Sequence, residues 1–226
     1  LTLNYTDPVR TIQGGGTQNF NPKGDVNVNE GALIVNMDGS QADYAVAAGA
    51  TLGGNGSVGE VNLSGTISPG LSPGTLSAGN TTWNDGGSFL FEINSASGTA
   101  GTAPGWDLLD ITGGLDLTGL NVGGFEIDIT SLMLDNSGGN VADFDETSDY
   151  VWNFVDTTTG INGFKADDFV LDSSAFTNDL GNGAFFIQQT DSSLEIFFDA
   201  DGAAVVPEPH SLALWGLLGI GLAAFG

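Results

Sequence analysis

The sequence predicts an all-β fold of the β-solenoid type, and three observations favour that class. Glycine occurs 36 times in 226 residues without the strict triplet of collagen. Apolar and polar residues alternate in short runs that glycine interrupts, as in DVNVN, GATLGG and GSVGEVNLSGTI. Leu52, Val58, Leu63 and Ile67 follow one another at a spacing too short for ordinary hairpin strands, but suited to the short faces of a coil. An ordinary β-sandwich is the alternative.

The corners of such a coil are predicted most clearly in SGTISPGLSPGTLSAGN, residues 64–80, where Ser-Pro-Gly occurs twice. Pro69 and Pro73 fix φ near −65°, which suits the second position of a β-turn, and each proline removes a donor that a central strand needs. Gly70 and Gly74 supply the positive φ that the third position of a type II turn requires. The stretch therefore predicts two consecutive type II corners.

The chain divides into four predicted segments, because its composition changes along its length. They are an extended N-terminal arm at 1–24, a β-solenoid at 25–122, a Phe-rich β cap at 123–202 and an apolar tail at 203–226. The cap contains longer and bulkier strands, such as YVWNFV, AFFIQQ and LEIFFDA, and the last two are predicted to form a hairpin through TDSS. Such bulky residues would cover the open end of a solenoid core or form a small separate sheet.

The tail begins with Val-Pro-Glu-Pro and contains no charged residue from Leu212 to Gly226. As a helix these residues would span about 22 Å, which is short for a bilayer core of roughly 30 Å. Small residues recur along one side at spacings of three and four, which permits close helix packing. These are Ala213, Gly216, Gly219 and Ala223. We expect the helix to hold copies of the chain together, and membrane contact through it is the alternative.

The motif Pro207, Glu208 and Pro209 before this apolar segment resembles the PEP-CTERM sorting signal of secreted proteins in Gram-negative bacteria. The resemblance covers about 20 residues, and the Arg-rich end typical of the signal does not occur in the sequence. It implies export, recognition by an exosortase-type membrane protease, and delivery to the cell surface or extracellular matrix. The sequence begins at Leu1 and not at Met, so either an N-terminal export signal has been removed, which is the commoner reason in a secreted protein, or the chain is a fragment.

A second resemblance covers more of the chain. The stretches GTISPGLSPGTLSAGN, GGSFLFEI and WDLLDITGGLDL are similar to the β-strand repeats of autotransporter passengers and of many PEP-CTERM proteins. This resemblance implies a right-handed parallel β-helix, followed here by the Phe-rich cap and a C-terminal hydrophobic helix. It implies no catalytic residue.

Charge and residue usage exclude several classes of function. The chain has 28 acidic and three basic residues, and its formal net charge is −25, which argues against nucleic acid and anionic lipid as partners. Copies repel one another unless cations screen them. Cysteine is absent and His210 is the single histidine, so neither a usual zinc site nor a Cys or Ser-His-Asp nucleophile is expected. We therefore predict no enzymatic activity, although a glycosidase with a carboxylate pair is harder to exclude.

Two acidic stretches are candidate calcium sites, and calcium is the one cofactor considered. DFDETSD places Asp143, Asp145 and Asp149 within seven residues, and DADG contains Asp199 and Asp201. Clustered carboxylates can bind Ca²⁺. Neither stretch completes an EF-hand, because the first lacks the central glycine and the second lacks the final glutamate. Solvated acidic loops are the alternative interpretation.

Together these patterns predict a secreted, non-enzymatic structural protein of the bacterial surface or biofilm matrix that assembles with copies of itself into filaments or sheets. Two alternatives remain open. One is a monomeric adhesin or glycan-binding matrix protein anchored by its C-terminal helix, and the other is a calcium-binding surface coat.

Overall fold

The computed structural model describes residues 24–202 and the backbone of two short strands that precede them. Within this part the chain is all-β with mainly parallel sheets, which confirms the predicted class. The one helical element there is a 3₁₀ turn at Ala166–Asp168. The predicted C-terminal helix and the sorting motif lie outside the described residues.

The strands form three sheets, numbered here in chain order. The first sheet contains β1 (Thr2–Leu3), β3 (Val26–Val28), β6 (Tyr44–Val46), β9 (Val61–Leu63), β12 (Thr81–Trp83), β17 (Leu115–Asp116) and β20 (Ile161–Asn162). The second contains β2 (Val9–Gln13), β4 (Gly31–Asn36), β7 (Ala50–Gly54), β10 (Thr66–Pro69), β13 (Gly87–Ile93), β18 (Phe125–Ser131) and β21 (Phe169–Ala175), with β14 (Thr99–Ala100) and β15 (Gly105–Trp106) attached to β13. The third contains β5 (Asp38–Gly39), β8 (Ser57–Val58), β11 (Thr75–Ala78), β16 (Leu108–Ile111), β19 (Tyr150–Thr157), β23 (Ser193–Asp199) and β22 (Ala184–Thr190).

Consecutive strands visit the three sheets in turn, and each return to a sheet adds a parallel strand beside the previous one. Thus β3, β4 and β5 are followed by β6, β7 and β8, each paired in parallel with its counterpart. The pairing continues across residue 122, because β18 pairs in parallel with β13 and β19 pairs in parallel with β16. The arrangement is compatible with a β-helix or solenoid.

In-register pairing places apolar side chains in columns inside the coil. One column in the second sheet is Leu33, Leu52, Ile67, Phe89 and Ile127, and all five side chains are at most 1% exposed. Because side chains alternate between the two faces of a strand, the neighbours of each column residue along its own strand point outward. The alternation predicted from the sequence therefore defines the core.

The corner between the second and third sheets lengthens from coil to coil as far as β19, and it is shorter again at residues 176–183, before β22. It is formed in successive coils by residue 37, residues 55–56, residues 70–74, residues 94–107 and residues 132–149. The Ser-Pro-Gly repeat is thus one corner of this series, and its apolar residue Leu71 is 58% exposed.

Two details of the predicted double corner are wrong. Pro69 ends strand β10, where it lies opposite Gly54, and the N–H of Gly70 donates to the carbonyl of Gly54 at 2.7 Å. Gly70 has φ of 80°, as predicted, but the second residue with positive φ is Ser72, at 63°, and not Gly74. The peptide bond between Ser72 and Pro73 is cis. The chain therefore makes one corner with two left-handed residues, and not two type II turns.

The ends of the coil differ from its middle. Strands β1 and β2, within the segment predicted as an extended arm, pair in parallel with β3 and β4 of the same chain. At the other end β23 pairs with β19 and β22 in antiparallel fashion, and TDSS connects β22 to β23 as the predicted hairpin. Aromatic rings pack in the last coils, including a stacked pair of Trp83 and Phe125 with centroids 4.2 Å apart.

We predict that Gly70→Ala destabilises the chain by about 1–3 kcal/mol, because positive φ and overpacking each carry a cost of that order. A Cβ atom at this position would lie 2.4 Å from the Cα of Gly74. Urea unfolding followed by tryptophan fluorescence measures the change. Gly119→Ala is the control, since nothing lies within 4 Å of its Cβ position. Equal unfolding midpoints for both variants would show that the corner tolerates a side chain.

Candidate functional site

The outer face of the first sheet presents a column of short polar side chains. Register places Asn62 beside Thr82, Thr82 beside Asp116, and Asp116 beside Asn162. Earlier in the same column Ala45 stands between Asn27 and Asn62. These residues occupy the central position of three-residue strands or the second position of shorter ones, so their neighbours on both sides point inward.

A groove of about 440 Å³ lies along this column. Its polar lining consists of Glu60, Asn80, Thr82, Asp116, Thr159 and Asn162. A smaller pocket of about 170 Å³ lies at Ala45, where the small side chain leaves a notch, and Glu60 lines both spaces. The hydroxyl and amide of Thr118 donate to Asp116 and hold the pKa of that carboxyl below its usual value. The groove therefore keeps a negative charge in mildly acidic solution.

Acidic residues follow one another along the corner that leads into this sheet. Backbone hydrogen bonds from Val26 to Asp43 and from Tyr44 to Glu60 place Asp43 and Glu60 at equivalent positions of successive coils. Asp25, one coil earlier, lines the same pocket. The arrangement offers carboxylate, amide and hydroxyl oxygens along one side of the coil, which suit either sugar hydroxyl groups or hard cations.

A second acidic group lies on the outer face of the second sheet. Glu126, Asp128 and Asp172 each have a carboxylate oxygen within 4.8 Å of the other two, and they form the one such group of three in residues 24–202. Asp128 lies directly opposite Asp172 on the neighbouring strand. Partial burial, with the charges of Glu126 and Asp172, raises the pKa of Asp128. These three residues were not predicted, because 44 positions separate the two strands that bring them together.

The residues predicted from the sequence as calcium ligands do not join this group. Asp145 Oδ1 accepts bonds from the amide and hydroxyl of Thr147, at 2.9 and 2.7 Å. Asp149 Oδ1 accepts the amide of Ala200 at 3.0 Å, so the two predicted stretches are neighbours in space.

Two of the remaining predicted ligands also accept hydrogen bonds, one within its own turn and one from another corner of the coil. Asp199 Oδ1 accepts the amide of Asp201 at 2.9 Å, and Asp143 Oδ2 accepts the hydroxyl of Ser97 at 3.3 Å. Calcium binding at these residues stays a prediction.

The other predicted site residues lie outside the described part of the chain. They are Pro207, Glu208 and Pro209 of the sorting motif, and Ala213, Gly216, Gly219 and Ala223 of the packing helix. Between residues 24 and 202 the structure contains no helix with the length and hydropathy needed to cross a bilayer.

Comparison with known proteins does not assign the chain to a family. No family model matches it, and no curated protein is similar to it. The class that the structure defines is an all-β protein with three parallel sheets.

We predict that Asp128→Asn stabilises the chain at neutral pH and low ionic strength, because it removes a charge from three mutually repelling carboxylates. Like charges on facing strand positions cost up to about 1 kcal/mol, which corresponds to an increase in Tm of roughly 1–4 °C. Differential scanning calorimetry measures the change, and it should shrink in 1 M salt. Glu30→Gln is the control, because it removes the same charge from an exposed turn. An equal gain in both variants would show that net charge, and not the local group, is responsible.

Proposed function

We propose that the chain is a secreted, non-enzymatic structural protein of the bacterial cell surface or extracellular matrix that associates with copies of itself. The observation that carries this proposal is the in-register parallel stack, which continues through five successive strands of a sheet from β4 to β18. Such a stack buries its apolar residues on the inside and presents Asn, Asp, Ser and Thr outside. A stacked coil of this kind suits the role of a stiff spacer that is exposed to water.

The proposed form of the coil is a right-handed parallel β-helix with a Phe-rich cap. Connections between parallel strands of one sheet are right-handed in nearly all proteins, which supports that hand. The antiparallel strands β22 and β23 and the rings of Phe144, Phe176 and Phe185 lie at the last coils. They would shield the end of the core from water, as a cap does.

Self-association is supported by the apolar tail and is opposed by charge. In residues 24–202 the structure contains one ion pair, between Lys165 and Asp168, so most of the acidic charge is not neutralised within the molecule. Burying the apolar residues 212–226 against other copies would contribute several kcal/mol, at roughly 25 cal/mol per Å² of apolar area. Dissolved cations would screen the repulsion that remains. The resemblance to PEP-CTERM signals supports surface delivery with an exosortase-type protease as a partner.

We predict that the chain forms assemblies in moderate salt, and that deletion of residues 203–226 leaves a folded monomer, because the deletion removes the apolar segment. Sedimentation velocity measures the mass, and circular dichroism measures the retained β structure. Assembly of the full chain should also weaken in low salt with a chelator and recover with Ca²⁺ or Mg²⁺.

A paired variant tests helix packing inside the tail. Replacing Gly216 and Gly219 with leucine keeps the segment apolar but prevents close approach of helices. We expect weaker assembly for that variant and wild-type assembly for the control, in which Leu217 and Leu218 become isoleucine. Undiminished assembly after the deletion would overturn the role proposed for the tail.

The second candidate function is glycan binding by a surface-anchored monomer, and the groove on the first sheet favours it. Carboxylates that line a concave surface can accept hydrogen bonds from sugar hydroxyl groups, and side-chain amides can both donate hydrogen bonds to them and accept hydrogen bonds from them. A calcium-binding surface coat is a further candidate, and the acidic side chains of Asp25, Asp43 and Glu60 around the smaller pocket favour it.

We predict that, if the groove binds glycans, Thr82→Trp abolishes the binding because the indole ring fills the groove. Affinity electrophoresis in gels that contain neutral polysaccharides measures the retardation of the protein. Thr130→Trp, on the outer face of the second sheet, is the control and should keep wild-type mobility. Unretarded migration of the wild-type chain in every gel would exclude this function.

A further inference from the structure

A buried carboxyl group joins three parts of the coil at the corner between the second and third sheets. Asp107, between β15 and β16, is fully buried. Its Oδ1 accepts the backbone N–H of Gly74 at 2.8 Å, and its Oδ2 accepts the backbone N–H of Glu92 at 3.0 Å. The side chain thereby connects the Ser-Pro-Gly corner at 70–74 to strand β13 and to the segment at 94–107.

A second carboxyl group lies beside the first. Glu92 is on the outer face of β13, and one of its oxygens accepts the hydroxyl of Ser72 at 2.5 Å. The corner at 70–74 is therefore held by both acids, one through a backbone amide and the other through a side-chain hydroxyl. Burial and the charge of Glu92 raise the pKa of Asp107, and burial raises the pKa of Glu92.

Within the described part of the chain, no basic side chain is paired with either of the two acids. In residues 24–202 Lys165 is the single basic residue, and it is paired with Asp168. The neighbouring strands add only acidic groups, namely Asp110 on β16 and Glu126 and Asp128 on β18. The corner at 70–74 and the segment at 94–106 contain no titratable residue. Rising pH therefore adds negative charge, and only negative charge, around the two carboxyl groups.

We propose that Asp107 and Glu92 form a proton-operated latch, which holds the 70–74 corner against the 94–107 segment while either acid is protonated and loosens when both ionise. Two neighbouring ionised carboxylates, of which Asp107 is buried and Glu92 is half-buried, repel each other without a cation between them. The ends of the corner are also attached through the backbone, since Gly70 donates to Gly54 and Leu108 donates to Gly74, but its central residue Leu71 is exposed. The latch is a property of the coil itself and does not depend on assembly or on glycan binding.

The direction of the pH dependence follows from the raised pKa values. A carboxyl group whose pKa is higher in the folded chain binds more protons there than in the open form. Its stabilising contribution is complete below the ordinary carboxyl range and is lost as pH rises through the raised values. The corner should therefore be better protected at pH 5 than at pH 8.

Hydrogen exchange measured by mass spectrometry on the full chain, corrected for intrinsic exchange rates, tests the latch. We expect protection of peptides that cover 70–76 and 94–107 to fall severalfold from pH 5 to pH 8, because ionisation of the two acids is less favourable in the closed corner than in the open one. Peptides from β4 and β7 should keep their protection. A flat profile for the two corner peptides would overturn the proposal.

Glu92→Gln keeps an acceptor for the Ser72 hydroxyl but removes one charge, so protection should stay high at pH 8. Glu126→Gln removes a charge from the same outer face on the next strand and should keep the wild-type profile. In Asp107→Asn the side-chain amide has only one oxygen, so it cannot accept the backbone N–H groups of both Gly74 and Glu92. This variant should therefore reduce protection at every pH. Wild-type pH dependence in Glu92→Gln would exclude the latch even if Asp107→Asn fails to fold.

Discussion

The structure depends on one constraint, which is that each coil hydrogen-bonds in register to the coil before it. Register fixes which side chains stack, and since side chains alternate, a slip of one residue would turn a whole column from the core to the solvent. The column from Leu33 to Ile127 illustrates this constraint, because an apolar residue occupies the inward position in each of its five strands. The short strands are stable only as a stack, since a three-residue strand has too few bonds to stand alone.

The same register that stacks apolar residues inside also stacks polar residues outside. In a chain with a net charge of −25, equivalent outer positions of successive coils become acidic columns, such as Asp43 and Glu60 at one corner and Asp128 and Asp172 on the second sheet. The geometry that makes the core therefore also creates the electrostatic repulsion at the surface. Cations in solution are the simplest means of relieving it.

The sequence was sufficient for the all-β class, the short strands and the terminal hairpin, because these follow from local alternation and turn residues. It was insufficient for contacts between coils. Asp128 and Asp172 are 44 positions apart, and they face each other only because the intervening coil has that length. At Gly74 a contact with a residue distant in the sequence overrides a local prediction. Its type II turn was a sound local prediction, but the Asp107 carboxylate, 33 positions away, holds its amide in a different geometry.

The two series of corners, between the third and first sheets and between the second and third sheets, differ in length and in what they bury. Corners between the third and first sheets stay short, as at residues 59–60 and 79–80, so the outer face beside them forms a regular polar groove. Corners between the second and third sheets lengthen as far as residues 132–149, and in the long corner at 94–107 Asp107 is buried and Ala96 accepts the indole N–H of the buried Trp152. A buried acid is costly unless its surroundings donate hydrogen bonds, and the long corner at 94–107 returns Asp107 to the backbone amides of Gly74 and Glu92. The sensitivity to pH therefore belongs on this side, while the regular repeat of the other side suits an extended ligand or a neighbouring copy.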